Sequence, residues 1–280
     1  PGAGPSDAAA VSAFAARLEH EARRTGVELG APRFNDDEYE AKLERLLADP
    51  VAVVSFTFGC PEADLVRRLQ AAGSAVWVTV TEPDEAGQAE GAGADALVVQ
   101  GTEAGGHRGS FVDRPDRVDY GLIALLQLVG RRSELPRVAT GGLATGEGVA
   151  AALAAGAVAA QVGTAFMRSP EAGTSAPHRA ALATAGPTGL TRAFSGRLAR
   201  GIVNRLQAEH SAAAPIAYPE IHYVTAPLRA HARRAGEPDL INLWAGEAHA
   251  LAEERPAAEI VAMLARDAAA ALDRARARVA

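Results

Sequence analysis

Five short runs in this chain, residues 51–58, 75–81, 95–101, 136–142 and 158–166, are apolar and often β-branched at nearly every position. A strand that is apolar on both faces must be covered on both. That selects a parallel sheet sandwiched by helices over a half-solvated antiparallel one. Segments 62–72, 82–91, 120–132 and 147–155 carry helical patterns and supply the crossovers. Two crossovers end alike, in Ala92-Gly93-Ala94-Asp95 and Ala155-Gly156-Ala157-Val158, with glycine where a helix closes in the left-handed conformation. The repeat is that of a (β/α) barrel.

The strand count falls short of that fold. A closed barrel takes eight parallel strands and about 250 residues, whereas five runs are clear and a sixth is expected at 190–194. Either the first strands lie outside this chain or the sheet is open and doubly wound. We expect one α/β domain: a helical lead-in over 1–50, β/α units over 51–200, and an irregular segment with C-terminal helices over 201–280. Within the last part, 257–279 reads as a surface helix packed on the domain.

Composition narrows the function. At 48% hydrophobic and 22% charged residues, the chain is an ordinary globular one rather than a disordered one. A formal charge of −6 speaks against a dedicated nucleic-acid binder. The single cysteine, Cys60, excludes an intrachain disulfide and points to a reducing, cytoplasmic setting. No signal peptide opens the sequence. The longest uncharged stretch, 149–167, is mostly Ala and Gly, interrupted by Gly156 and Gln161, and reads as a helix entering a strand rather than a bilayer span.

The chemistry gathers at strand ends, where α/β proteins bind ligands. After the third run comes Gln100-Gly101-Thr102-Glu103-Ala104-Gly105-Gly106-His107-Arg108-Gly109. Its glycines let backbone N–H groups approach a ligand, and His107 can exchange a proton near neutral pH. The fourth run ends in Thr140-Gly141-Gly142, the fifth in Gln161-Val162-Gly163-Thr164. Two such turns in successive strands suit a phosphate held by backbone amides. Ser169-Pro170-Glu171 reads as the start of a short extra helix there, with Ser as N-cap. His222 and His231 lack metal-ligand spacing and read as surface or capping groups, and Cys60 as a buried, inert thiol. We expect no metal site, and no Walker loop or dinucleotide fingerprint is present.

Together these segments resemble the nitronate monooxygenases, formerly 2-nitropropane dioxygenases. The likeness extends through Ser55-Phe56-Thr57-Phe58-Gly59, Thr191-Arg192-Ala193-Phe194-Ser195-Gly196-Arg197 and Leu243-Trp244-Ala245-Gly246. FMN-dependent enoyl reductases carry a close variant of the His107 segment. The resemblance implies a TIM barrel that binds FMN non-covalently and oxidises alkyl nitronates with O2 to carbonyl compounds and nitrite. It places Gln100, Gly105, Gly142, Gln161, Val162, Gly163 and Thr164 on the flavin, His107 on the substrate, and Ser195 and Trp244 in the pocket wall. It implies small-molecule partners, no nucleic acid and no membrane, and leaves homo-oligomerisation open. Family members begin with three strands that have no counterpart here, so the resemblance also implies a barrel truncated at its N-terminus. Two other readings stay open: an FMN-dependent NAD(P)H reductase of the enoyl-thioester or quinone type, and an inactive barrel fragment.

Overall fold

A computed structural model describes residues 6–279. The chain opens with α1 (Ala8–Thr25), capped by Asp7, whose carboxylate accepts from the amides of Ala9 and Ala10. Val11, Phe14 and Leu18 recur at helical spacing and are buried, each contributing on the order of 2 kcal/mol of hydrophobic stabilisation. Helix α2 (Tyr39–Ala48) follows, and then the β/α repeat begins.

The repeat runs β1 (Val53–Phe56), α3 (Ala63–Ala72), β2 (Ala75–Val80), α4 (Pro83–Gly91), β3 (Ala96–Gln100). A two-residue strand, β4 (Gly106–His107), interrupts it. It resumes with α5 (Leu122–Val129), β5 (Arg137–Thr140), α6 (Gly146–Ala154) and β6 (Ala159–Gln161). The five strands of the repeat pair in parallel in the order β1-β2-β3-β5-β6, as sequential (β/α) units of a barrel do, without closing into a ring among the described residues. The central strand β3 is buried at every residue, as expected of a strand covered on both faces. The outer strands are not, with Val53 38% exposed and Val158, just before β6, 65% exposed. Gly93 and Gly156 both adopt positive φ, 91° and 100°, behind their helices.

The expected sixth barrel strand at 190–194 is not one. β7 (Thr188–Thr191) pairs antiparallel with β8 (Ala199–Ile202) in a separate three-stranded sheet of order β4-β8-β7. The chain turns back at 192–196, where the amide of Gly196 donates to the Arg192 carbonyl, so this stretch forms a hairpin rather than a crossover. In the same sheet His107 stands opposite Ala199.

No helix starts at Ser169 either. β6 runs into a single 3-10 turn, Thr164–Phe166, and the next helix is α7 (Ala176–Leu182). The Arg179 guanidinium takes the carbonyls of Arg168, Ser169 and Ala172, which a helix there would need for its own bonds. Glu171 accepts from the amide of Ala257 and so caps α10 (Ala257–Val279) instead. Helix α10 packs on α6 through its buried Ile260, Leu264 and Ala268. α8 (Arg205–His210) and α9 (Glu220–Ala235) enclose a second apolar cluster with α1, centred on Phe14, Phe194 and Ile221. Among the described residues no helix is long and apolar enough to cross a membrane.

Candidate functional site

The register of the parallel strands brings their carboxyl ends into line: Phe56 beside Val78, Val80 beside Val99, Gln100 beside Thr140, and Thr140 beside Gln161. A cavity of about 240 Å³ opens at these ends. Gln100, Gly105, Gly142, Gln161, Val162, Gly163 and Thr164, from three separate strand ends, all line it. Gly142 has φ 68°, a left-handed turn that a side chain would strain. Gly105 is needed for a different reason. A Cβ there would lie 2.4 Å from the amide nitrogen of Gly246, so this glycine seats the 245–246 segment against the loop.

The donors around the cavity suit an anion. Among the described residues the amides of Gly142, Gly163 and Thr164 donate to no protein acceptor. A Cβ on Gly163 would meet nothing within 4 Å, so the space over that peptide is open. The Thr164 hydroxyl oxygen accepts from the Gly246 amide at 3.0 Å and keeps its proton to give. Partnerless amides and a hydroxyl on residues that line one space are the donor set of a phosphate cradle, and they suit the phosphate of a nucleotide.

Gln100 does more than face the cavity. Its Oε1 accepts from Arg108 Nη1 at 3.2 Å and from the Gly109 amide at 2.8 Å, and its Nε2 donates to the His107 carbonyl at 3.1 Å. One Nε2 hydrogen remains. Farther along, Glu85 accepts from the amides of Thr81 and Phe111, both at 2.6 Å, and from the Thr81 hydroxyl at 3.0 Å. Burial pushes the Glu85 carboxyl above its ordinary range. The loop carrying His107 is thus fixed at both ends by buried side chains.

His107 does not line the cavity; its ring stands beside it in an aromatic enclosure. Phe58, Tyr218 and Trp244 approach with ring centroids 6.0, 5.6 and 5.5 Å away. Its Nε2 lies 2.8 Å from Ser195 Oγ. Ser195, 2% exposed, also contacts the Arg197 carbonyl at 3.2 Å. With the Ser195 proton on that carbonyl, Nε2–H donates to Ser195 and Nδ1, which has no partner among the described residues, carries the lone pair. Burial first, then the positive charge of Arg197, drives the imidazole down to about 4, so it is neutral at pH 7. Ser195 and Trp244 therefore flank His107 rather than the cavity.

Several participants carry no signal at sequence level. Thr57 and Thr79 line the cavity floor, hydroxyl to hydroxyl at 3.1 Å, and only their place at strand ends marks them. His249 lines it too, with Nε2 donating to the Gly186 carbonyl at 2.9 Å and Nδ1 buried without a partner. Tyr218 reaches His107 across 111 positions that no local pattern connects. Of the other residues singled out, His222 adjoins the enclosure, its ring centroid 6.5 Å from that of Tyr218, and Cys60 stays apart. Cys60 packs half-buried against the sheet core, its thiol pushed up by burial and by Glu62. His222 accepts from Arg229 Nη2 at 3.2 Å. Glu21, Glu209 and His210 come within metal-ligating reach of one another, but Arg24 and Arg205 already engage Glu21.

The family model described as nitronate monooxygenase matches residues 3–267. A nitronate monooxygenase from Pseudomonas aeruginosa is 47% identical over 231 residues, 79% of this chain and 65% of that one. Another, from Paraburkholderia phytofirmans, is 44% identical over 234 residues, 81% of this chain and 63% of that one. The chain thus spans less than two-thirds of the length of these curated relatives. A crystallised nitroalkane oxidase from Streptomyces ansochromogenes superposes with a TM-score of 0.92 at 47% identity, over 95% of this chain and 78% of that one. FabK from Thermotoga maritima, at 24% identity and a TM-score of 0.71, shares the fold, over 98% of this chain and 86% of that one.

Proposed function

The chain belongs to the nitronate monooxygenase family, and from that premise we propose that it oxidises alkyl nitronates with O2 to a carbonyl compound and nitrite, with FMN as cofactor. The observation that carries the reading is convergence. Three strand ends converge on one cavity, two of them carrying partnerless amides, and a neutral imidazole in an aromatic enclosure stands next to it.

FMN, when bound, would supply the redox chemistry that couples nitronate oxidation to O2. The protein holds, orients and shields. The amides of Gly142, Gly163 and Thr164 take the phosphate oxygens, and the Thr164 hydroxyl adds its proton. Gly105, Gln161 and Val162 shape the walls, and Gln100 offers its remaining Nε2 hydrogen. His107, oriented by Ser195, either takes a proton at Nδ1 from the carbon bearing the nitro group or binds the nitronate oxygens. Phe58, Tyr218 and Trp244 keep water from the space before the imidazole. The lone, unpaired Cys60 supports a cytoplasmic location.

The test is to add FMN to the purified chain, remove excess by gel filtration and record the flavin absorbance. Nitrite release from ethyl nitronate in air and under nitrogen follows. Retained flavin with oxygen-dependent nitrite is the expected result. NADH consumption without nitrite replaces the proposal with an enoyl or quinone reductase, and protein that stays colourless overturns the cofactor assignment.

A further inference from the structure

The strand-end cavity carries donors at both ends of the strand order. The partnerless amides lie behind β5 and β6. At the opposite end, Thr57 follows β1, Thr79 belongs to β2 and Gln100 closes β3, and all three line the same space. Thr57 Oγ1 and Thr79 Oγ1 lie 3.1 Å apart, and neither hydroxyl has another partner among the described residues.

Two hydroxyls that meet only each other hold two protons, and one proton suffices for the contact. Burial decides which is spare. Thr79 is 5% exposed, whereas Thr57 is open to the cavity. A Thr79 proton turned away from Thr57 would be a buried donor without an acceptor, which is the costlier arrangement. Thr79 therefore donates to Thr57, and the Thr57 proton is left for whatever fills the cavity. A hydroxyl that accepts while it donates is polarised and gives the stronger hydrogen bond. Gly109 makes room for the pair, since a Cβ there would lie 2.6 Å from Thr79 Cγ2. The amide of the same glycine donates to Gln100 Oε1 at 2.8 Å, so one loop residue keeps both side chains in place.

We propose that Thr57, its proton freed by Thr79, donates a hydrogen bond to a ring carbonyl of the flavin, and that Thr79 is the residue that positions it. The proposal rests on the FMN reading above and adds a contact at the end of the cavity remote from the phosphate amides. Two-electron reduction places negative charge on the carbonyl edge of a flavin, and a hydrogen bond to a charged acceptor is roughly twice as strong as one to a neutral acceptor. Thr57 thus holds the reduced cofactor more tightly than the oxidised one and raises its potential.

The test titrates oxidised FMN, and dithionite-reduced FMN under nitrogen, into wild type, T57V, T57S and T79V, and measures the potential of each complex against a reference dye. T57V should bind oxidised FMN about three- to tenfold more weakly than wild type, the scale of one neutral hydrogen bond. Reduced FMN should lose at least a further tenfold or so, and the potential should fall by about 30 mV or more, which is that tenfold for a two-electron couple. T57S keeps the hydroxyl and should match wild type in both respects. T79V keeps the donor without its alignment and should fall between T57V and wild type. Because Thr57 is exposed, T57V and T57S should melt as wild type does. A wild-type potential in T57V, or equal weakening of the two redox forms, overturns the ring contact, while FMN held by the wild type leaves the cofactor standing. T57S that behaves as T57V does also overturns it, because the hydroxyl would then not be the group that matters. A wild type that takes up neither form of FMN overturns the cofactor reading and this contact with it.

Discussion

The imidazole of His107 and the hydroxyl of Ser195 lie 2.8 Å apart, although 88 positions separate them in the chain. Antiparallel pairing of β4 with β8 creates this contact, because it brings the His107 loop alongside the turn that holds Ser195. Ser195 touches the ring at Nε2 and leaves Nδ1 open, so one hydrogen bond fixes both the orientation and the reactive nitrogen.

Replacing His107 with Ala should therefore separate two substrates. A neutral nitroalkane must lose a proton on the enzyme, and its turnover should fall by roughly 10²–10⁴-fold. The corresponding nitronate should lose only about tenfold, the scale of one orienting contact. S195A should cost either substrate about tenfold, the equivalent of roughly 1.4 kcal/mol. Nitrite assays with both substrates check all three values, and equal losses on the two substrates in H107A would remove the proton-transfer role.

The acid side of the stability profile should carry a His107 signature. The unfolded ring takes its proton near 6.5, the folded one only near 4. The unfolded state thus binds more protons between those values, so stability is full above about pH 6.5 and declines as pH falls toward 4. Burial also holds His178, His210 and His222 below their ordinary range, and they add slope in the same direction. Urea unfolding of wild type and H107Q at a series of pH values isolates the difference: the wild type should lose more stability between pH 7 and pH 4. Turnover by wild type should meanwhile pass through pH 6.5 without a break.

Two glycines that line the same cavity should respond in opposite ways. G163L projects into open space and should weaken FMN binding at least tenfold while leaving the melting temperature near that of wild type. G105A drives a Cβ to 2.4 Å from the Gly246 amide, and overpacking of that kind costs about 1–3 kcal/mol. It should lower the melting temperature by several degrees. Flavin absorbance after gel filtration and a thermal melt distinguish the two.

Glu85 should behave as a structural carboxylate. Its two oxygens receive three hydrogen bonds from Thr81 and Phe111. In E85Q one oxygen becomes an NH2 group facing a backbone N–H, which leaves a buried donor unpaired at a cost of about 1–3 kcal/mol. The melting temperature should fall, and amide exchange should speed up at Phe111. Unchanged protection there would mean that the loop is anchored elsewhere.

The β/α repeat was legible because its signal is local. A buried strand such as 96–100 must be apolar throughout, and α10 occupies 257–279 as its pattern indicates. Strand-end glycines marked the cavity because α/β folds place ligand sites there. What stayed hidden depends on contacts between distant segments. Residues 188–191 have the composition of a strand, but nothing local says that their partner is an antiparallel hairpin arm rather than the barrel. Ser169 and Pro170 have the chemistry of a helix start, yet Arg179 takes the carbonyls. Gln100 is legible as a strand-end amide; that it clamps the His107 loop from inside emerges only when Arg108 and Gly109 fold back onto it.

The parallel sheet has no neighbour outside β1 or β6 among the described residues. Neither strand, Val-Val-Ser-Phe or Ala-Ala-Gln, carries a charge or a proline to blunt it. Bare rims of this kind template growth from one molecule into the next. In the chain described here, these two uncharged edges are where strands of separate molecules would be expected to pair, and V53K should lower concentration-dependent light scattering relative to wild type.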